Sequence, residues 1–365
     1  MKKIFTYMLA GLSLLLFSRC DALDIDPTSS IADSNYWKTE AQFSTFNVGL
    51  HALLRECSFN FFLLGEPRAD IYGDVPFGGE ATQGMERLPF NTINKENTGI
   101  SNFAGMYKVI NQINLMIAKT KETTVLSEAG KNYYLGEAYG MRAYLYFHLY
   151  RTFGGVPLIK APKVMNGVTN AEDLYEGRAT AKQTLDFIKE DISKSETAFG
   201  DNETVNLNKG MWSKAATLML KAEVYMWSAK VTTGDHQATG NSDLAIAQTA
   251  LQPLINQFSL LDNFSEVFSK KANDEIIFAI RFKDGEATNW AGPFIYYGNI
   301  FEGQRYGRDG KLMQDTLDLK GTVGQFLHEY KKALWDSYDD EDMRRDATFM
   351  DHYGSAQKEG FGIAM

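Results

Sequence analysis

Residues Gly136–Leu158 read GEAYGMRAYLYFHLYRTFGGVPL. Counting from just before this run, Tyr134, Ala138, Met141, Leu145, His148 and Leu149 recur at three- and four-residue steps, which puts them on one face of a helix. Gly136, Ala138, Gly140 and Ala143 are small, so the spacing predicts that another helix backbone approaches closely there. Gly154 and Gly155 are expected to supply the positive φ of a C-terminal cap, and Pro157 cannot continue the helix. The stretch predicts a long, packed, aromatic-rich helix inside an α-helical array.

Further segments extend the pattern. Glu40–Cys57 reads as a helix opened by Thr39 as N-cap, and Asn102–Lys119 as a second, with Phe103, Tyr107, Ile110, Ile113 and Ile117 on one face. Thr180-x-x-Gln183 is a capping box that opens a helix through Leu185, Ile188 and Ile192. Met211, Ala215, Leu218, Ala222, Tyr225 and Ala229 follow helical spacing, and Leu244, Ala247, Leu251 and Leu254 mark a partner helix. Alanine-rich helix pairs suggest tetratricopeptide-like units, although no strict 34-residue period is visible. After about residue 260 the texture changes. Ile276, Phe278 and Ile280 alternate like a short strand within Glu275–Phe282, and Lys283–Gly310 is a long, Gly- and aromatic-rich loop region without periodicity.

The opening stretch resembles the SusD/RagB family of outer-membrane nutrient-binding lipoproteins. The resemblance rests on Glu137, Arg142, Ala143, Tyr144, Tyr146, Phe147, Phe153, Gly154, Val156, Pro157 and Leu158 in that order. It is repeated by Tyr107-x-x-Ile110-Asn111-x-x-Asn114, by Arg178 with Ile188, Asp191 and Ile192, by the Asn273-x-Glu275-x-Ile277-Phe278 run, and by Asp342-x-Arg344. It implies a mainly α fold: a degenerate tetratricopeptide-like helical array with long loops and a few short strands. Nothing matches the family's late Arg-x-Ala-Glu helix, so a member shortened at its C-terminus, or a truncated fragment of one, is expected.

The N-terminus fits that family. Met1-Lys2-Lys3 precedes an apolar run, Ile4–Phe17, which is shorter than the about 20 residues of a membrane span but suits a secretory signal. Cys20 directly after it looks like a bacterial lipoprotein acceptor, although Arg19 stands where a small residue is usual. Residues 1–19 are therefore expected to be the signal, 20–38 an acidic tether and 39–365 the SusD/RagB-like domain, helical to about residue 260. The other cysteine, Cys57, lies on an apolar helical face and reads as a buried, inert thiol, so disulfides are not expected to hold this exported chain together.

With 37 basic and 46 acidic residues, the net charge is −9. That balance argues against nucleic acid as a partner, because phosphate contacts need Lys and Arg. None of the five histidines has a close metal-ligand spacing, and no nucleophile elbow, P-loop or dinucleotide fingerprint occurs. His148 reads as a hydrogen-bonded core residue, and Asp336–Asp342 as a solvated acidic turn. No cofactor, metal or catalytic residue is expected.

Aromatics make up 13% of the chain, and loop aromatics beside polar groups suit a sugar, which offers flat C–H faces to a ring and hydroxyls to Asp and Arg. Asp70, Tyr72, Asp74, Trp290, Tyr296, Tyr297, Arg305 and Tyr306 are the candidate ligand-binding residues. The resemblance implies a non-catalytic, lipid-anchored outer-membrane protein, surface-exposed, that hands an oligosaccharide to a TonB-dependent SusC-like transporter. A peptide ligand, or a helical-repeat envelope adaptor without a small ligand, is the alternative.

Overall fold

Local chemistry sets the start of each major helix. In α1 (Glu40–Glu56) the Thr39 hydroxyl accepts from the Gln42 N–H at 3.4 Å, and Gln42 Oε1 accepts from the Thr39 N–H at 3.0 Å. The same reciprocal box opens α5 (Ala181–Phe199), where the two bonds between Thr180 and Gln183 measure 3.1 and 2.9 Å. Ser127 caps α4 (Glu128–Phe153) and Ser213 caps α6 (Lys214–Lys230). Each cap satisfies donors that the first helical turn leaves unpaired.

The computed structural model describes residues 33, 35–76, 92–96, 98, 103–289, 305–314 and 328–364. Between the helices named above lie α2 (Ser58–Leu64), a 3-10 turn at Glu66–Arg68, β1 (Tyr72–Pro76) and α3 (Ala104–Glu122). After α6 come α7 (Asn241–Ile255) and the short α8 (Phe264–Ser269). The C-terminal part holds β2 (His328–Tyr330), α9 (Lys332–Asp336), α10 (Met343–Thr348), β3 (Met350–His352) and β4 (Gly362–Ala364). The fold is mainly α, a tetratricopeptide-like helical array with short strands, as the periodicity predicts.

The centre of the array is α4. Fifteen of its residues are buried, from Tyr134 to Tyr150, so it is covered on every side rather than along one stripe. It packs on α3, α5 and α6, while α6 packs on α7. Two of its glycines make this possible in a way the sequence reading did not foresee: aromatic rings, not a helix backbone, lie against them. A Cβ on Gly136 would stand 2.8 Å from the Phe199 ring, and one on Gly140 would stand 2.0 Å from Trp212 Nε1. The helix exit also departs from expectation. Gly154 takes the positive φ of 68°, but Gly155 does not; its lack of a side chain gives room for the Ala179 carbonyl, 2.0 Å from where a Cβ would be.

A buried ion pair pins three helices together. Arg142 of α4 donates from Nε and Nη2 to Asp191 of α5 at 2.7 and 2.8 Å, and from Nη1 to Asn114 Oδ1 of α3 at 2.6 Å. Asn114 and Tyr107 also hold the Val-Pro-Leu exit, donating to the carbonyls of Ile159 at 2.9 Å and Pro157 at 2.5 Å. Cys57 is buried, and burial raises its thiol pKa to about 11, in keeping with an inert sulfur.

The predicted strand over Glu275–Phe282 does not form. The segment runs as an extended strap over the helices: Phe278 and Ile280 pack on the main core and Ile277 on the α6–α7 core. Its Ala279 N–H donates to the Lys209 carbonyl at 2.9 Å, and the Arg281 carbonyl accepts from Arg55. The apolar residues that looked like one sheet face are divided between two cores, and among the described residues no partner strand lies beside them. The strands that do form are elsewhere: β1 pairs antiparallel with β2, and β3 with β4, beside a small core of Tyr330, Phe349 and Ile363.

Candidate functional site

The described residues carry a cleft where α2 and its following turn face the C-terminal end of α4. At its inner end is a cavity of about 420 Å³ lined by Phe61, Leu64, Gly65, Arg68, His148, Arg151, Thr152 and Trp227. Beside it lies a second cavity of about 490 Å³ that shares Leu64, Arg68, Arg151 and Thr152 and extends to Ile93, Asn94, Thr98, Phe103 and Arg178.

The walls follow from the fold. Helix α2 stops at Gly65, and the turn Glu66–Arg68, with Pro67 buried, aims the chain so that Arg68 borders the cavity. Phe61 stacks on the His148 ring, centroids 4.2 Å apart, and Tyr144 meets the same ring edge-on at 4.6 Å. From α6, Trp227 stands perpendicular to Phe147 at 6.1 Å. The Arg151 guanidinium lies over the Phe147 ring at 4.3 Å and near Trp227 at 5.9 Å, and donates to Glu223 Oε1 at 2.7 Å. In the outer cavity Arg178 donates to the carbonyls of Gly155 and Phe153, both at 2.7 Å, placing a cation on the C-terminal carbonyls of α4.

His148 is buried, and burial with the neighbouring Arg151 charge lowers its pKa to about 3, so the ring is neutral. Arg151 Nη2 is 3.4 Å from Nδ1. A guanidinium only donates, so Nδ1 is the acceptor and Nε2 carries the proton. That Nε2 is buried without a partner, as are Trp227 Nε1 and Arg68 Nε. The expected hydrogen-bonded core histidine is therefore satisfied at one nitrogen only.

The candidates read from sequence that fall among the described residues do not line this cleft. Asp70 is exposed, has a positive φ of 61° and forms an ion pair with Lys331 at 2.5 Å. Tyr72 and Asp74 belong to β1. Tyr306 bridges Leu312 and Tyr353 through the backbone, and Arg305 is half-buried beside Gly354. Trp290, Tyr296 and Tyr297, like Cys20, lie outside the described residues. Among the residues that are described, the structure joins Asp70 and β1 to the C-terminal part through Lys331 and β2, and sets Arg305 and Tyr306 beside β3. It does not bring them into the cleft. Sequence reading missed Arg68, Arg151 and Trp227; the available signal was a histidine and an arginine three residues apart in the last turns of an otherwise apolar helix. No group of three or more metal-ligating side chains occurs among the described residues, and no helix among them is long and apolar enough to cross a membrane.

Residues 79–226 match a family profile described as starch-binding, associating with the outer membrane. The solved structure of Bacteroides fragilis NanU is 54% identical, superposes with a TM-score of 0.79, and aligns over 93% of this chain and 68% of its own. The chain belongs to the SusD-like family. A SusD superfamily protein from Bacteroides vulgatus agrees, at 44% identity and a TM-score of 0.78 over 90% of this chain and 68% of that one. A SusD-like protein of Formosa agariphila is 32% identical over 75% of this chain, and the chain spans half of that relative's length. Surface glycan-binding protein A of Bacteroides thetaiotaomicron, solved with laminarihexaose, shares 17% identity and a TM-score of 0.65 over 89% of this chain and 70% of its own, a likeness of fold.

Proposed function

We propose that this SusD-like protein is a non-catalytic lipoprotein of the outer membrane that captures an oligosaccharide and delivers it to a TonB-dependent SusC-like transporter. The observation that carries this reading is its family membership, with a profile described as starch-binding and associated with the outer membrane. Fold relatives include a laminarin-binding SusD-like protein and a surface glycan-binding protein solved with a glucan hexamer. The cleft supports it with rings of Phe61, Phe103 and Trp227 interleaved with Arg and Thr side chains, the mixture a sugar's apolar faces and hydroxyls need.

Calorimetry against a panel of oligosaccharides and peptides tests the ligand class: saturable binding of an oligosaccharide is expected, and binding of peptides alone would overturn it. Trp290→Ala is expected to weaken oligosaccharide binding with helical circular dichroism unchanged; a fall in melting temperature at constant affinity would return Trp290 to a packing role. For the anchor, the wild-type protein is expected in the outer-membrane fraction and Cys20→Ser in the soluble one. A wild-type protein that is soluble after export would refute lipidation at Cys20.

A further inference from the structure

We infer that a third cavity, apart from the cleft, is a phosphate site that takes a phosphate monoester. It measures about 230 Å³, lies between the exposed side of α1, the segment Asn208–Gly210 and the end of the strap, and shares no lining residue with the cleft. Arg55, Arg281 and Lys283 line it against one carboxylate, Glu286. His51 borders it too, but both ring nitrogens are engaged, with the Trp212 N–H and the Asn47 carbonyl. Of the neighbouring acids, Glu56 pairs with Lys108 and Asp284 does not line the cavity. The wall therefore keeps a surplus of positive charge that no carboxylate in it balances. The fold places these groups. Gly210 makes room for the Arg281 stem, since a Cβ there would stand 3.0 Å from Arg281 Cδ. Asn208 Oδ1 accepts the Gly210 N–H at 2.8 Å, which leaves its amide nitrogen as a donor. The Lys283 carbonyl accepts the Glu286 N–H at 3.0 Å and Gly285 takes a positive φ of 73°, so the chain turns back and returns Glu286 to Arg55 at 2.8 Å. The Glu286 carboxylate marks the point on which the cations act: the Arg55 hydrogen bond and charge hold it below its usual range, and Lys283 and Arg281 add to that. Arg281 and Lys283 are exposed and have no ion pair among the described residues. A phosphate monoester carries about −1.5 to −2 charge at pH 7 and three acceptor oxygens, which suits the surplus and the forked donors of arginine, whereas a carboxylate brings a single charge.

Two sources carry this group, a lipid headgroup and a soluble sugar phosphate, and the test separates them. Calorimetry uses the exported Cys20→Ser chain, which has no lipid of its own. Inorganic phosphate and glucose 6-phosphate are expected to bind saturably, and acetate about fivefold more weakly. Arg281→Met, which keeps the stem against Gly210, and Lys283→Met are each expected to weaken phosphate binding about fivefold with the helical circular dichroism unchanged. Glu286→Gln is expected to tighten it by a similar factor, because it removes the carboxylate that competes for Arg55; an ion pair with only a structural role would leave binding unchanged or weaken it. Absence of phosphate binding, equal affinity for acetate, or no tightening in Glu286→Gln would overturn the site. Sedimentation with phosphatidylcholine vesicles that contain phosphatidic acid, and not with vesicles that lack it, assigns the lipid source, provided that Arg281→Met reduces it. Binding of glucose 6-phosphate without sedimentation assigns the soluble one. Binding of inorganic phosphate with neither ester would overturn the monoester as ligand.

Discussion

Glu137 is fully buried in α4 and is held by two neutral donors, the Tyr133 hydroxyl at 3.0 Å and the Asn47 amide. Burial raises its pKa from 4.5 to about 8, so across that interval the folded protein binds a proton that the unfolded chain has lost. Stability is therefore full below pH 4.5 and falls as pH rises towards 8, by at most about 1.4 kcal/mol per pH unit. Glu137→Gln is expected to flatten that fall, because an amide keeps the shape and acceptor without an ionisable proton, and Asn47 Oδ1, now unpartnered, can turn to accept from it. Thermal melts of both proteins at pH 5 and pH 8 check this: equal slopes would acquit Glu137. The same network runs on through His51, whose Nε2 accepts the Trp212 N–H at 2.9 Å and whose Nδ1 therefore donates to the Asn47 carbonyl. Burial lowers the His51 pKa, in keeping with a neutral ring in that relay.

Helix α4 works as an axle because its glycines admit rings and its arginine spans three helices. Gly140→Ala would drive Trp212 from its bond to Thr217 Oγ1, now 2.8 Å, and is expected to cost about 2–4 kcal/mol. Gly49→Ala, on α1 with nothing within 4 Å, is expected to stabilise by about 0.5–1 kcal/mol. Melting curves that shift the same way for both would refute the packing account. Arg142→Met leaves Asp191 charged and buried and should cost about 3–5 kcal/mol, whereas adding Asp191→Leu should recover much of that loss. These elements were largely legible in the chain, since the N-cap at Thr39, the capping box at Thr180 and the period of Leu185, Ile188 and Ile192 are local signals. The strap through Phe278 was not, because a short apolar run reports burial and says nothing about a partner strand or about which core each side chain meets. Nor was the cleft, whose walls include residues 68, 148 and 227, far apart in the chain and brought together only by tertiary packing.

The described residues form three cores, a large one running through α1 and α3–α6, a second between α6 and α7, and a small one of Tyr330, Phe349 and Ile363 beside short strands. Amides of α4 and α5 are accordingly expected to exchange with solvent only on global unfolding, and those of β3 and β4 through cheaper local openings. Hydrogen exchange read by mass spectrometry checks this, and uniform protection would overturn it. Phe349→Ala should speed exchange in β3 and β4 while leaving α4 unchanged. The small core also ties together distant parts of the chain: β1 pairs Tyr72 with Tyr330, and Asp70 holds Lys331. A chain emerging vectorially, from a ribosome or a secretion channel, presents residues 72–76 long before their partners exist. The helical array can close as it appears, from contacts between successive helices. The strand must wait with its backbone donors and acceptors unpaired until residue 330 has followed, and joining ends so far apart adds a loop-closure cost that grows only as the logarithm of the intervening length. Maturation of this molecule is thus a two-stage event in time, and the interval between the stages is when its β1 edge is open to the wrong strand.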